Sequence, residues 1–150
     1  MNYFNPVKLV FGSLVRRKIT EECVGKSVLI ICSSTAYNRY SKDPELSALF
    51  SFAGVIFEHG FESNPSLTDI IKISNKYRDS ALDLIVGLGG GSAMDVAKIA
   101  SVSIPAIRKG IHIDDLLKDS ALFSRFKAID CIQVPTTAGT GSEVTPFATV

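Results

Sequence analysis

The chain has 150 residues, 46% of them hydrophobic, enough for one domain burying roughly 70% of the surface its unfolded form would expose. Its 16 Lys and Arg against 15 Asp and Glu leave a formal charge of +1, with Arg16-Arg17-Lys18 the densest basic cluster. That balance argues against nucleic acid or an anionic membrane as a partner.

No apolar run approaches the ~20 residues of a membrane helix, and the first residues lack the pattern of a signal peptide, so a soluble, cytoplasmic protein is expected. Cys23, Cys32 and Cys131 are odd in number and form no CxxC pair, which predicts neither a disulfide framework nor a zinc site. Cys32 and Cys131 lie in apolar runs and are expected to be inert core residues.

In chain order, Val7 to Phe11 reads as a strand, Leu14 to Val24 as a helix, and Ser27 to Cys32 as a strand buried on both faces. A weaker helical piece closes at Phe50 and Phe52, before a third strand from Gly54 to His59. An Asn-Pro turn and the pattern Ser66-x-x-Asp69 then open a helix like a capping box, with Leu67, Ile70, Ile71, Ile73 and Tyr77 as its apolar stripe. Asp83 to Gly87 is a fourth strand, followed by a helix from Ser92 through Ser103. Ile104 to Phe126 is the least periodic region, read as a loop with one short helix, and Ile129 to Val134 is a fifth strand. The final TPFATV reads as a strand in progress, which suggests a fragment or one domain of a longer chain. Strands spaced by helices imply an α/β fold with a mostly parallel sheet and helices on both faces, binding ligands outside the carboxyl ends of its strands.

Two loops at such ends stand out. The first, in GLGGGSAMDVAKIAS, places Gly89, Gly90 and Gly91 before a helix. Glycines tolerate positive φ and let a ligand approach bare main chain, while the helix start offers free N–H groups and a dipole favouring an anion by about 0.3 to 1 kcal/mol. Ser92 reads as the N-cap. This is not the Rossmann fingerprint, because Gly87-x-Gly89-x-x-Ser92 fills only two of its three glycine places and follows at least two strand-helix units. Nor does a Gly-Lys-Ser or Gly-Lys-Thr follow, as a P-loop requires. Asp95 either pairs with Lys98 or faces along the groove, since an acid beside a diphosphate would be repulsive. The second loop, VPTTAGTGSEVTP, sets Thr136, Thr137, Thr140, Ser142 and Thr145 between Pro135 and Pro146, with Gly139 and Gly141 to bend it. Two hydroxyl- and glycine-rich loops after neighbouring strands point to a shared cleft.

Together GLGGGSAMDVAKIAS and VPTTAGTGSEVTPFATV resemble the iron-containing, metal-dependent alcohol dehydrogenase family, related to glycerol dehydrogenase and dehydroquinate synthase; FNPVKLVFG and ESNPSL extend the likeness along the chain. The resemblance implies a Rossmann-like NAD- or NADP-binding domain over residues 1–150, with a helical domain after it. That second domain would supply an aspartate and three histidines to iron or zinc; His59 and His112 fall outside the family's ligand motifs. Carried over, Gly90, Gly91 and Ser92 would hold the diphosphate. Thr136 and Thr137 would contact the adenosine side, Thr140 would line the path to the nicotinamide, and Asn64 and Asp95 would be weaker cofactor-side candidates. Where many members carry an aspartate for the adenosine ribose, Ser33 stands here, so NADP is tolerated beside NAD and Arg39 is a candidate partner for its phosphate. The family's Pro-Asn-Pro turn appears as Ser63-Asn64-Pro65. The implied substrate is a small alcohol or aldehyde, with a homodimer left open. The run AGTGSEVTPFA favours the alcohol dehydrogenase branch over the glycerol dehydrogenase and dehydroquinate synthase branch; a nucleotide-binding module without catalysis is the alternative outside the enzymes.

Overall fold

The apolar run VLIIC forms strand β1 (Val28–Cys32), buried at every position. Its residues alternate between two cores. Val28, Ile30 and Cys32 join Ile19, Cys23, Leu46 and Leu49 on one face, whereas Leu29 and Ile31 join Ile70, Ile73, Val96, Ala97 and Ile104 on the other. A strand covered on both sides has no polar face to alternate with, which is why its sequence is continuously apolar.

The computed structural model describes residues 7–61, 64–145 and 148–149. Around β1 lie β2 (Val55–Glu58), β3 (Leu84–Gly89) and β4 (Asp130–Pro135), in the order β2-β1-β3-β4. Every pairing is parallel, with Val28 opposite Val55 and Leu84, and Leu84 opposite Asp130. The α/β architecture is therefore as expected. Helix α1 (Val15–Cys23) covers the first face, and α3 (Leu67–Tyr77) and α4 (Gly91–Arg108) cover the second. No helix among the described residues is long and apolar enough to cross a membrane.

Several elements differ from the sequence reading. Val7 to Phe11 forms no strand among the described residues, and Phe11 is left 85% exposed. Thr145, Ala148 and Thr149 form none either; Pro146, Phe147 and Val150 of that expected strand lie outside the described residues. A helix unseen in the sequence, α2 (Ser34–Tyr40), follows β1, its N-cap Ser33 accepting the Ala36 N–H at 3.1 Å. Ala36, Tyr37 and Tyr40 pack on the first core, but seven residues are too few for periodicity to announce the helix, and the Ser33 cap marks its start. The weak helical piece is a 3-10 turn, Ser47–Ser51.

Helix α4 runs five residues beyond Ser103, through Pro105. Proline has no N–H for the carbonyl one turn back, that of Ser101. Ile129 N–H takes that carbonyl at 2.9 Å, so the missing helical bond becomes the tie that leads the chain into β4. The region between is ordered as a short helix α5 (Ile113–Lys118) and a 3-10 turn, Ser120–Arg125. Helix α3 opens with the expected capping box, Ser66 and Asp69 each accepting the other's backbone N–H. Ser74 and Ser103, both buried, join α3 to α4 through an Oγ–Oγ hydrogen bond of 2.6 Å.

Burial pushes the Cys23 and Cys32 thiols up to about 11, as fits inert core residues. Cys131 is instead exposed on the edge strand β4, where its Sγ accepts from the Gln133 amide at 2.9 Å.

Gly87 controls how closely α4 approaches β3. A Cβ there would stand 2.8 Å from Gln133 Oε1, 2.9 Å from Ala97 Cβ and 3.0 Å from Met94 Cα. Gly87→Ala is expected to destabilise the fold by about 1 to 3 kcal/mol, the usual scale of overpacking, read as a shift of the urea midpoint.

Candidate functional site

Connections from β1 lead outward to β2, and those from β3 outward to β4, so the strand order reverses between β1 and β3. A crevice at such a reversal is where open parallel sheets bind ligands. Ser33 follows β1, Gly90 and Gly91 follow β3, and Thr136 follows β4, all at carboxyl ends.

At the end of β3, Gly89 adopts φ +155°, and a Cβ would meet Ala93 Cβ at 2.9 Å. Gly90, extended at φ −81° and ψ −171°, is the N-cap of α4, and no side chain caps the helix. An α-helix leaves its first N–H groups without internal acceptors, so main-chain donors at this end point into the crevice. Ser92 is therefore not the cap, as its sequence position suggests: the helix starts at Gly91, which puts Ser92 inside the first turn. The Ser92 hydroxyl accepts the Asn64 N–H at 3.2 Å, and Asn64 turns at φ 57°. The Asn-Pro turn is thus held against the glycine loop.

The threonine loop forms the opposite wall. Thr136 N–H donates to the Gly89 carbonyl at 2.8 Å, extending the β3–β4 pairing into the loop. A Cβ on Gly90 would come within 3.2 Å of Thr137 Oγ1, and one on Gly91 within 3.6 Å of Thr140 Cγ2. Gly89, Gly90, Gly91, Ser92, Asn64, Thr136, Thr137 and Thr140 are therefore gathered at one place. Ser33 stands at the end of the neighbouring strand with its side chain used as a cap, and Arg39 is exposed on α2, its guanidinium 5.6 Å over the Tyr40 ring.

Asp95 is engaged within the chain. It pairs with Lys98 at 2.9 Å, accepts the Ser142 hydroxyl, and accepts the Thr149 N–H at 3.1 Å. The pairing with Lys98 was one of the two readings open to the sequence. The tie to Ser142, 47 residues away, left no trace in local spacing. Burial acts to raise the Asp95 pKa, but the Ser142, Lys98 and Thr149 donors and the Lys98 charge outweigh it and hold the carboxyl below its ordinary value of 3.8.

Among the described residues, no group of three or more His, Cys, Asp or Glu could hold a metal ion. His59 stacks on Tyr37 at 4.2 Å, and His112 immediately precedes α5 without a side-chain capping bond. The iron or zinc implied by the resemblance has no ligand set among the described residues.

Residues 6–150 match the family described as iron-containing alcohol dehydrogenase. The chain belongs to that family. It is 29% identical over 156 residues to the probable NADH-dependent butanol dehydrogenase 2 of Bacillus subtilis, across 99% of this chain and 38% of that one. An iron-containing alcohol dehydrogenase of Thermotoga maritima superposes with a TM-score of 0.77 at 31% identity, over 98% of this chain and 41% of that one. Sulfoacetaldehyde reductase of Bifidobacterium kashiwanohense, solved with NAD+, gives a TM-score of 0.68 at 28% identity, over 96% and 38%. The chain thus spans about two fifths of the length of these members of the iron-containing alcohol dehydrogenase family.

Because the Asp95 pKa is depressed in the folded chain, its stabilising contribution is complete above 3.8 and is lost as pH falls through the lower folded value. The urea midpoint should fall as the pH is taken below 3.8, and Asp95→Asn should flatten that fall; an identical fall in both proteins would contradict the assignment.

Proposed function

We propose that this chain is the cofactor-binding part of an NAD(P)-dependent oxidoreductase that interconverts small alcohols and aldehydes. The observation that carries the reading is the meeting of two loops at the sheet's reversal point: Gly90 against Thr137 and Gly91 against Thr140, above the uncapped start of α4.

The residues present fit a dinucleotide. Gly90 and Gly91 leave the main chain bare beside an uncapped helix start, which suits a diphosphate. Thr137 and Thr140 offer hydroxyls that donate or accept. A bound nicotinamide supplies hydride transfer, and the chain's own part is to hold and orient it. Ser92, Thr136 and Asn64 lie within the same group. Asp95 stands one turn behind the helix start and turns to Ser142 and Lys98.

At the end of β1, Ser33 carries no charge to repel a 2′-phosphate, which supports acceptance of NADP beside NAD. Arg39, exposed on the following helix, is the nearest candidate cation by sequence. The small alcohol or aldehyde is proposed from the family, as are the iron or zinc centre, a homodimer and a cytoplasmic location. Residues beyond those described would have to supply the metal ligands.

Calorimetric titration with NAD and NADP tests this reading. Both should bind, and Gly90→Val should weaken both by about tenfold or more, or about 1.4 kcal/mol. Ser33→Asp separates the two dinucleotides, since aspartate is an equally good N-cap and leaves α2 capped. It should lower NADP affinity relative to NAD by about tenfold. A folded protein that binds neither dinucleotide contradicts the cofactor reading; an unchanged ratio contradicts the role of Ser33.

A further inference from the structure

The threonine loop is held from α4 by one charge pair. Lys98 and Asp95 lie one helical turn apart, with side chains only 16% and 13% exposed. An ammonium so placed needs a counter-charge and acceptors near it. Asp95 Oδ1 supplies the charge at 2.9 Å. The Ser142 carbonyl and hydroxyl each accept from Lys98 Nζ at 2.9 Å, and the Thr145 carbonyl accepts at 3.4 Å. The Ser142 hydroxyl, accepting from Lys98, donates its own proton to Asp95 Oδ1, and Ser142 is 7% exposed. Asp95 Oδ2 takes the Thr149 N–H at 3.1 Å. Two side chains of one helix therefore grip the loop's far end through both main chain and hydroxyl.

The loop's near end is fixed by Thr136 N–H on the Gly89 carbonyl. Between the anchors, the chain reverses at Gly139 (φ 90°) and Gly141 (φ 62°), conformations that L side chains rarely adopt. The suspended segment carries Thr137 and Thr140, the two residues that stand against Gly90 and Gly91.

We propose that Asp95, Lys98 and Ser142 are positioning residues: they clasp the threonine loop to α4 and thereby fix the width of the cleft that receives the cofactor's diphosphate. The proposal rests on the NAD(P) reading of that cleft. The clasp acts through Thr137 and Thr140. Without it the loop must be ordered when the cofactor binds, which costs affinity.

The test uses Ser142→Ala in the intact protein. The dissociation constants for NAD and NADP, read by calorimetry, should rise by the same factor, about tenfold or more. In the cofactor-free protein, amide hydrogen exchange over residues 137–141 should accelerate. Ser142→Thr, which keeps the hydroxyl, should restore most of the affinity. Should Ser142→Ala not fold, Asp95→Asn is judged by the same two readouts. Unchanged dissociation constants or unchanged exchange overturn the clasp. If the wild-type protein binds neither dinucleotide, the cofactor reading fails, and the exchange measurement alone then decides the clasp: acceleration supports it, and no change overturns it.

Discussion

Helix α4 can lie directly on β3 only because Gly87 has no side chain. A Cβ there would collide with Ala97 and with the α4 backbone at Met94, neither of which can rotate away. Ala93, Ala97 and Ala100 continue the same economy along the buried side of the helix. The consequence is directional: the start of α4 is carried to the carboxyl end of β3, beside the reversal in strand order. Its uncapped N–H groups therefore face the crevice that the sheet topology creates.

Beyond β4 the threonine loop has to be brought back over that helix start. Regular sheet hydrogen bonding does this at one end, where Thr136 extends the β3–β4 pairing onto Gly89. At the other end the tie is electrostatic, with Lys98 and Asp95 converging on Ser142. The proposed site is thus split between two loops about fifty residues apart in sequence, and α4 contacts both. Membership of the iron-containing alcohol dehydrogenase family gives these loops their context, and the geometry gives each residue a physical part.

Much of this was legible from residues because local rules governed it. Apolar runs announced β1 and β3, the Ser66–Asp69 box announced α3, and three consecutive glycines marked the crevice. What escaped was decided over longer distances. Val7 to Phe11 has strand composition but forms no strand among the described residues, because strand propensity depends on context more than on residue type. The helix read as Ser92 through Ser103 runs on past Pro105, because Ile129 satisfies the carbonyl that the proline leaves free. Ser92 has the chemistry of a cap, but Gly90 takes that place and Ser92 receives Asn64 instead. The grip of Lys98 on Ser142 spans 44 residues, beyond the reach of any periodic pattern.

The central claim is that the start of α4 and the threonine loop form one dinucleotide site. Backbone amide resonances followed during titration with NADP test it most directly. The account predicts that Gly91, Ser92 and Ala93 shift together with Thr136, Thr137 and Thr140, all saturating with a single dissociation constant. Shifts confined to the opposite pole of the sheet, around Lys26, Ser27, Gly54 and Asp83, would contradict it.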